Sequence, residues 1–382
     1  MTTFPLNRFA HLETPFYYYD TKLIKETLNK VVEQKNKYNF HVHYAVKANA
    51  NAQLLSFIRD AGLGIDCVSG PEVQCAIDNG FAPQSIVFAG VGKADWEIKL
   101  ALEANIRCFN VESLPEAQVI NEIAGAMNKK ATIALRINPN VDAHTHQYIT
   151  TGLEENKFGI GLTEVESVVT EIQKLNNIEL KGMHFHIGSQ ITDMGAFQVL
   201  CMRINELQKW FETNKIKIEI VNVGGGLGID YEHPNKNSIP DFEAYFSVFH
   251  RFLELRNEQE VHFELGRAIV AQCGSLITKV LYVKEGRKKK FAIVDAGMND
   301  LIRPALYHAY HKIENITSNN ATEQYDVVGP VCESSDCFGQ AVVLPQTHRG
   351  DLIAIRSAGA YGEIMASHYN LRKFAPSYFS EE

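Results

Sequence analysis

The stretch FHVHYAVKANAN, Phe40 to Asn51, is the part of this sequence from which the fold can be worked out. An apolar and β-branched run ends on Lys47, and small polar residues follow it. The pattern predicts a buried strand with a lysine at the mouth of a loop. Desolvation lowers the pKa of a lysine amine and makes it a better nucleophile, so Schiff-base chemistry is one interpretation. The ordinary alternative is a solvated charge at a strand end, and this stretch alone favours that alternative.

Beyond Lys47, strand-like and helix-like segments alternate at short intervals as far as Leu265. The predicted strands begin near residues 41, 64, 85, 107, 132, 180, 218 and 261. Eight β/α units over roughly 240 residues fit a TIM (β/α)8 barrel, and an open doubly wound sheet is the alternative from the pattern alone. The stretch 138–156 is too long for an ordinary βα loop, and we expect a lid or an active-site loop there.

After Leu265 the secondary-structure pattern of the sequence changes. Short strand patterns separated by turn residues replace the helical patterns, which indicates a C-terminal all-β domain. The boundary lies near residue 270 and is a shift in composition rather than a linker.

The composition of the 382 residues is that of a globular protein, with 45% hydrophobic residues and a net charge of −8. The acidic balance argues against nonspecific binding to nucleic acid or to anionic membranes. The amino terminus lacks the apolar region of a signal peptide, and no apolar run reaches membrane-spanning length. Seven dispersed cysteines without metal-ligand spacing indicate free thiols, a reducing cytoplasm and no metal site.

Chemistry-bearing residues stand where the predicted barrel strands end, which is where barrel enzymes place their catalytic groups. These positions are Lys47, Asp66, Arg136, His186, the glycines 224–226, and Glu264 with Arg267.

The glycine run within Val223–Ile229 would let backbone amides approach a phosphate closely, although a flexible turn is the plain alternative. It matches neither the dinucleotide fingerprint nor the P-loop. His184 and His186 share one face of a strand, but no further metal ligand lies at a supporting spacing. One of them could stack on a flat cofactor ring, although most buried histidines do neither.

Glu264 and Arg267 could form a weak local ion pair. Alternatively, Glu264 could keep a pyridine nitrogen protonated while Arg267 binds an anion. In the β domain, Cys332 beside Glu333 could donate a proton, although a free cysteine is more often inert. Further along, Tyr361 stands at the tip of a predicted turn, and Arg303 with Tyr307 places a cation and a phenol in one segment.

Taken together, the chain resembles the fold-III pyridoxal-phosphate-dependent decarboxylases. The resemblance covers nearly the whole chain through seven strings in order: YAVKAN, HFHIGSQ, GGGLGI, ELGRAIV, DAGMNDLIRPALY, GPVCESSD and GAYG. It departs from the family pattern at Leu265 and Pro71, which bear on local backbone detail. It implies a TIM barrel at 21–270, and a β domain formed by 1–20 and 271–382 that receives the N-terminal strand.

The resemblance also implies a role for each matching residue. Lys47 binds pyridoxal 5'-phosphate as a Schiff base, His186 stacks on its ring and Cys332 is the proton donor. The other cofactor-binding residues are Asp66, Arg136, Ser189, Gly224, Gly225, Gly226, Glu264, Gly266, Arg267 and Tyr361. The substrate-binding residues are Arg267, Arg303, Tyr307, Glu333 and Tyr361.

The charges at the predicted substrate end favour meso-2,6-diaminopimelate, with L-lysine and CO2 as products and lysine biosynthesis as the pathway. Ornithine, arginine or carboxynorspermidine presents only a cation there, whereas Arg303 and Glu333 supply both signs. Glu264 argues against an alanine racemase, and a non-catalytic cofactor carrier is the alternative from another class. The resemblance further implies a homodimer whose active sites are shared across the interface through the Cys332 loop.

Overall fold

The computed structural model describes residues 4–141 and 157–381. The chain divides into two compact units. The barrel unit comprises Leu28–Gly228 and Asp241–Gly266, and the β unit comprises Met1–Thr27, Ile229–Pro240 and Arg267–Glu382. Most of the predicted lid, residues 142–156, lies outside the described residues.

The barrel unit is built on eight parallel strands that close into a ring. In chain order these barrel strands are His41–Ala45, Gly64–Cys67, Ile86–Phe88, Cys108–Val111, Ala131–Asn138, Ile178–His184, Ile220–Asn222 and Glu260–Leu265. Each strand pairs with the next, and the eighth pairs with the first. A two-residue strand, Ile160–Gly161, pairs with the end of the fifth. The closed ring confirms the predicted TIM barrel and rules out the open sheet.

Helices follow the strands around the barrel. They span Ala52–Asp60, Gly70–Asp78, Asp95–Ala104, Leu114–Ala126, Val165–Ile172, Met194–Thr213 and Phe242–Phe252, while Thr21–Tyr38 precedes the first strand. Two of them begin at the same pattern, Ser-x-Pro-Glu, in which the Ser69 or Ser113 side chain accepts a hydrogen bond from the backbone N–H three residues on. Proline fits in such a first turn because the N–H that it lacks would have no helical partner. Pro71 is therefore accommodated.

Lys47 lies just beyond the first barrel strand rather than in it. The strand ends at Ala45, and Val46–Ala48 forms a single 3₁₀ turn. The buried Tyr44 hydroxyl donates to the carbonyl of Asn49 at 2.8 Å, and the Asn49 side chain accepts from the N–H of Asn51 at 2.9 Å. These local bonds bend the chain, so the lysine belongs to the loop that follows the strand.

An aromatic cluster packs between the eighth strand and its neighbours in the barrel unit. Phe263 is fully buried. Its ring centroid lies 5.1 Å from that of Phe40, 4.7 Å from that of Phe246 and 4.9 Å from that of Phe249. Two of the contacts are edge-on, the geometry that aromatic quadrupoles favour. The cluster fixes the strand that carries Glu264.

The β unit is an eight-stranded sheet with a few short helices. Its strands are Phe16–Tyr19, Gly274–Glu285, Lys290–Val294, Ile313–Asn315, Thr322–Val328, Cys337–Pro345, Leu352–Ile355 and Ser377–Phe379. The α-helices are Leu6–Phe9, Arg267–Val270 and Arg303–Tyr307.

Both ends of the chain contribute strands to this sheet, as the resemblance implied. Phe16–Tyr19 pairs antiparallel with Gly274–Glu285 and parallel with Ser377–Phe379. Phe9, Phe16 and Tyr18 pack against residues of the central strands in one apolar cluster. The aromatic N-terminal run therefore belongs to the β unit.

Within the described part of the chain, no helix is both long and apolar enough to cross a membrane. All seven cysteines are free thiols, and six of them are buried or half-buried, whereas Cys332 is exposed.

Replacing Phe263 with alanine tests the aromatic cluster. Removal of a buried phenylalanine leaves a cavity, and we expect a loss of about 3–5 kcal/mol in the free energy of unfolding. Urea denaturation measures it. Phe252→Ala removes a ring that is 38% exposed and should change stability far less. Equal losses in the two variants would contradict the cluster's assigned role.

Candidate active site

Glu264, near the end of the eighth strand, receives three side-chain hydrogen bonds inside the barrel. The amides of Asn110 and Asn222 donate to its Oε1 at 3.0 and 2.8 Å, and Nε2–H of His184 donates to its Oε2 at 3.0 Å. All four side chains are buried. Donors that converge on one carboxylate stabilise its ionised form.

The two buried acids of this end of the barrel titrate in opposite directions. Burial alone would raise the pKa of Glu264, but the charge and hydrogen bond of His184, together with the charge of Lys47, lower it well below its ordinary value. Burial and then the charge of Glu264 raise the pKa of Asp66 well above its ordinary value, and Lys47 only partly opposes this. Glu264 is therefore the ionised member of the pair.

Lys47 and Asp66 are neighbours. Lys47 Nζ lies 3.8 Å from Asp66 Oδ2, and the lysine side chain is 41% exposed whereas that of the aspartate is fully buried. Neither carboxylate oxygen of Asp66 has a hydrogen-bond partner among the described residues. The structure thus places a reachable amine beside a buried acid with unused bonding capacity.

The glycine loop after the seventh strand packs too tightly for any side chain. A Cβ on Gly224 would lie 2.1 Å from the carbonyl oxygen of Phe185, and one on Gly225 would lie 1.8 Å from that of Glu264. Gly224 also has a φ of +71°, which side chains disfavour. Its N–H donates to the side chain of Asn222 at 2.9 Å. Glycine is therefore required here by packing, whatever the loop binds.

The loop after the sixth strand lies against this glycine loop. The N–H of Ile191 donates to the carbonyl of Gly226 at 2.8 Å, and the N–H of Gly225 donates to Nδ1 of His186 at 3.3 Å. Burial, together with the positive charge of Lys47, lowers the pKa of His186 well below its ordinary value. A neutral imidazole and the backbone of Gly188 therefore border the glycines, and Ser189 follows Gly188 in the chain.

Arg136 has a carboxylate partner within the barrel. Its guanidinium donates to Glu112 Oε1 at 2.7 Å, and the N–H of Gly159 donates to Oε2 of the same residue at 2.9 Å. Both charged side chains are buried. The cofactor role predicted for Arg136 stays a prediction, because this ion pair already accounts for the charge.

A separate cluster of arginines and tyrosines lies within the β unit. Arg267 and Arg303 are both buried, and each donates to the hydroxyl of Tyr231, at 2.6 and 3.4 Å. The Arg267 guanidinium carbon lies 4.9 Å from the ring centroid of Tyr361, and that of Arg303 lies 5.8 Å from the ring centroid of Tyr307. The sequence predicted four of these five residues as a binding group.

Arg303 has no carboxylate partner among the described residues. Its Nε donates to Nε2 of His311 at 3.4 Å, and Nδ1–H of His311 donates to the carbonyl of Arg356 at 2.9 Å. Burial and then the charge of Arg267 lower the pKa of Arg303. Two buried cations share aromatic and hydroxyl neighbours, an arrangement suited to an anionic ligand.

Tyr361 occupies the predicted turn with a φ of +57°, which is uncommon for a residue that is not glycine.

Cys332 and Glu333 lie elsewhere in the β unit. Cys332 is exposed, and its N–H donates to the Asn370 side chain at 3.4 Å, while Glu333 accepts from the hydroxyl of Tyr369.

Several residues of these clusters were not predicted. They are Asn110, Glu112, Asn222, Tyr231 and His311. Asn110 and Asn222 each interrupt an apolar strand at its carboxyl end, and this polar interruption is a signal that could have identified them. Tyr231 and His311 have no comparable local signal.

The pyridoxal-binding domain of the pyridoxal-dependent decarboxylases matches residues 22–271 of the chain. The chain belongs to this family. A curated diaminopimelate decarboxylase of Bacteroides thetaiotaomicron is 61% identical over 380 residues, which cover 99% of this chain and 98% of the relative.

Solved structures of this decarboxylase family are similar to the chain in both fold and sequence. The crystal structure of diaminopimelate decarboxylase from Helicobacter pylori complexed with L-lysine is 42% identical, with a TM-score of 0.93, and the match covers 98% of this chain and 94% of that one. The M. jannaschii enzyme in co-complex with L-lysine is 35% identical, with a TM-score of 0.90 and coverage of 98% and 89%.

The barrel residues of this decarboxylase fit pyridoxal 5'-phosphate, the cofactor of the family. Lys47 offers an amine, Asp66 has unused bonding capacity, and Glu264 is an ionised carboxylate fit to face a protonated ring nitrogen. The glycine loop presents backbone without side chains, which suits a phosphate.

We expect the buried His311 to make the free energy of unfolding depend on pH. Burial and then the charge of Arg303 lower the pKa of His311 to about 3. As the pH falls below about 6.5, the unfolded chain binds a proton that the folded chain does not bind until about pH 3. Stability should therefore fall with pH by up to about 1.4 kcal/mol per unit.

The measurement compares urea unfolding at pH 7.5 and 5.5 for the original protein, His311→Gln, and His11→Gln at an exposed histidine. Only His311→Gln should show a shallower decline. An unchanged decline would mean that His311 titrates normally.

Proposed function

We propose that this protein removes one carboxyl group from meso-2,6-diaminopimelate and releases L-lysine and CO2, the last step of lysine biosynthesis. The observation that carries the substrate assignment is Arg303, a buried cation without a carboxylate partner among the described residues. The names of the similar enzymes support the same assignment.

The charge at the far end of the substrate decides between related amino acids. Diaminopimelate carries a second amino-acid head, whose carboxylate could pair with Arg303. Ornithine or arginine would bring a further cation towards Arg303 and Arg267, where like charges repel. The cluster therefore favours a substrate with an anionic far end, and we assign Tyr307, Glu333 and Tyr361 to the same binding group.

In the proposed mechanism, each barrel residue has one task. Pyridoxal phosphate, when bound, supplies an electron sink for the electron pair left by the departing CO2. Glu264 would hold a proton on the ring nitrogen, which its own ionised state favours. Lys47 would bind the cofactor covalently through Nζ, His186 would offer a neutral ring face, and the glycines with Ser189 would hold the phosphate.

The final step returns a proton to the carbon that lost CO2. We assign this proton to the thiol of Cys332, which is exposed and therefore accessible. In our proposal the thiol serves the active site of a second copy of the chain, so that the homodimer is the active form. We also propose that the protein works in the cytoplasm.

The direct test supplies the purified protein with pyridoxal phosphate and meso-diaminopimelate and measures CO2 and lysine. We expect both products in equal amounts. Lys47→Ala should form no borohydride-reducible cofactor adduct and release neither product. Adduct formation without product in the original protein would favour a cofactor carrier instead.

Arg303→Gln tests the substrate assignment. Loss of a charged hydrogen bond to a buried ligand costs about 3 kcal/mol, so kcat/KM for diaminopimelate should fall about a hundredfold. Cofactor absorbance should be unchanged. Arg251→Gln, at an exposed arginine, is the matched control. A kcat/KM equal to that of the control would remove Arg303 from the substrate site.

Subunit mixing tests the shared active site. Lys47→Ala and Cys332→Ala should each be inactive alone. If the two residues act from different copies, mixed dimers contain one intact site, and about a quarter of the original activity should return on exchange of subunits. No recovery in a mixture that has exchanged would mean that both residues serve the same copy.

A further inference from the structure

Three potential metal ligands meet at the end of the barrel opposite Glu264. His41 and His262 are partners in register on the first and eighth strands, and Glu260 lies two residues before His262. One ligand atom from each lies within 4.8 Å of those of the other two. The imidazole rings stack with centroids 4.7 Å apart and planes 15° apart. Nothing in the proposed reaction uses these residues.

A chain of hydrogen bonds fixes the protons of the buried rings. Nδ1 of His43 lies 3.1 Å from the carbonyl oxygen of Ser85, which can only accept, so this nitrogen carries a proton. With the ring neutral, Nε2 of His43 must accept, and it lies 2.8 Å from Nδ1 of His262. Nδ1 of His262 therefore donates, and the Nε2 of His262 is left as a lone pair.

This lone pair faces another acceptor. Nε2 of His262 lies 3.1 Å from Oε2 of Glu260. Two acceptors at that distance repel unless a cation lies between or beside them. The guanidinium of Arg107, which pairs with the same Oε2, is one such cation, and a metal ion on Nε2 of His262 would be another.

We propose that His41, Glu260 and His262 bind a divalent zinc ion at the amino-terminal end of the barrel. Imidazole nitrogen and carboxylate oxygen are ordinary zinc ligands, and three protein ligands leave a fourth position for water. His43 would orient His262, as the outer partners of metal-bound histidines do. The sequence did not predict this site because its ligands come from strands more than 200 residues apart.

A cavity of about 370 Å³ gives the ion a route to these ligands. His41, His43, His262 and Arg107 are among the residues that line it. The ion would stabilise the closed ring by linking its first and last strands. At the amino-terminal face of a barrel, such a site serves stability rather than catalysis.

Arg107 allows a test in which a substitution should strengthen metal binding. Its guanidinium pairs with the same Oε2 of Glu260, so it competes with the metal for the carboxylate. We expect moderate affinity in the original protein and tighter binding in Arg107→Gln. A purely structural role for the histidines predicts no such gain.

The experiment measures zinc binding to the holoenzyme, freed of metal by a chelator, using equilibrium dialysis and thermal unfolding. We expect one zinc per chain and a higher Tm with zinc. His41→Ala and Glu260→Gln should weaken binding more than about tenfold, because even outer partners of a ligand change affinity by 10- to 100-fold. His11→Ala, at an exposed histidine of the β unit, should bind as the original protein does.

Cobalt provides a second readout, because its visible bands distinguish imidazole and carboxylate ligands from a thiolate such as Cys332. Bands of nitrogen and oxygen ligation, lost in His41→Ala, support the site. Thiolate bands, or zinc bound equally by all variants, would place the metal elsewhere. No zinc bound would mean that Arg107 serves the carboxylate of Glu260 without a metal, and the proposal would be wrong.

Discussion

The carboxylate of Glu264 is the interaction on which the rest of the barrel site depends. A buried anion is stable only if donors replace the water it has lost. Asn110, Asn222 and His184 provide those donors from three other strands. Their positions require a closed ring, because only a barrel brings the ends of the fourth, sixth and seventh strands to the eighth. The fold and the charge state of one residue are thus linked.

The fold could be predicted in outline from the sequence. Eight apolar runs that alternate with helical patterns indicated the barrel, since buried parallel strands read as continuous apolar segments. The β unit was harder to predict strand by strand. Thr322–Val328 begins with polar residues and is mostly exposed at that end, so it carries neither an apolar run nor a clear alternation.

Within the site, residues with a strand-end position or a motif could be predicted, and residues defined only by contacts could not. Lys47, Glu264 and the glycines stand at strand ends in recognisable strings. Tyr231 and His311 matter because Arg267 and Arg303 donate to them, and such contacts join segments far apart in the chain. Glu112 likewise owes its place to Arg136. Contacts of this kind between distant segments cannot be recognised from the local sequence around either residue.

The eighth strand has a consequence for how the chain folds. Glu260, His262 and Glu264 alternate along it and share one face of the strand, and the last two are buried. If the ring closed over these two buried groups before their partners on other strands were in place, they would lose water with nothing to replace it, which is unfavourable. Docking of this strand should therefore be late and cooperative. A fragment that ends at the seventh strand would lack the strand that closes the ring, and we expect it to be much less stable than the whole barrel.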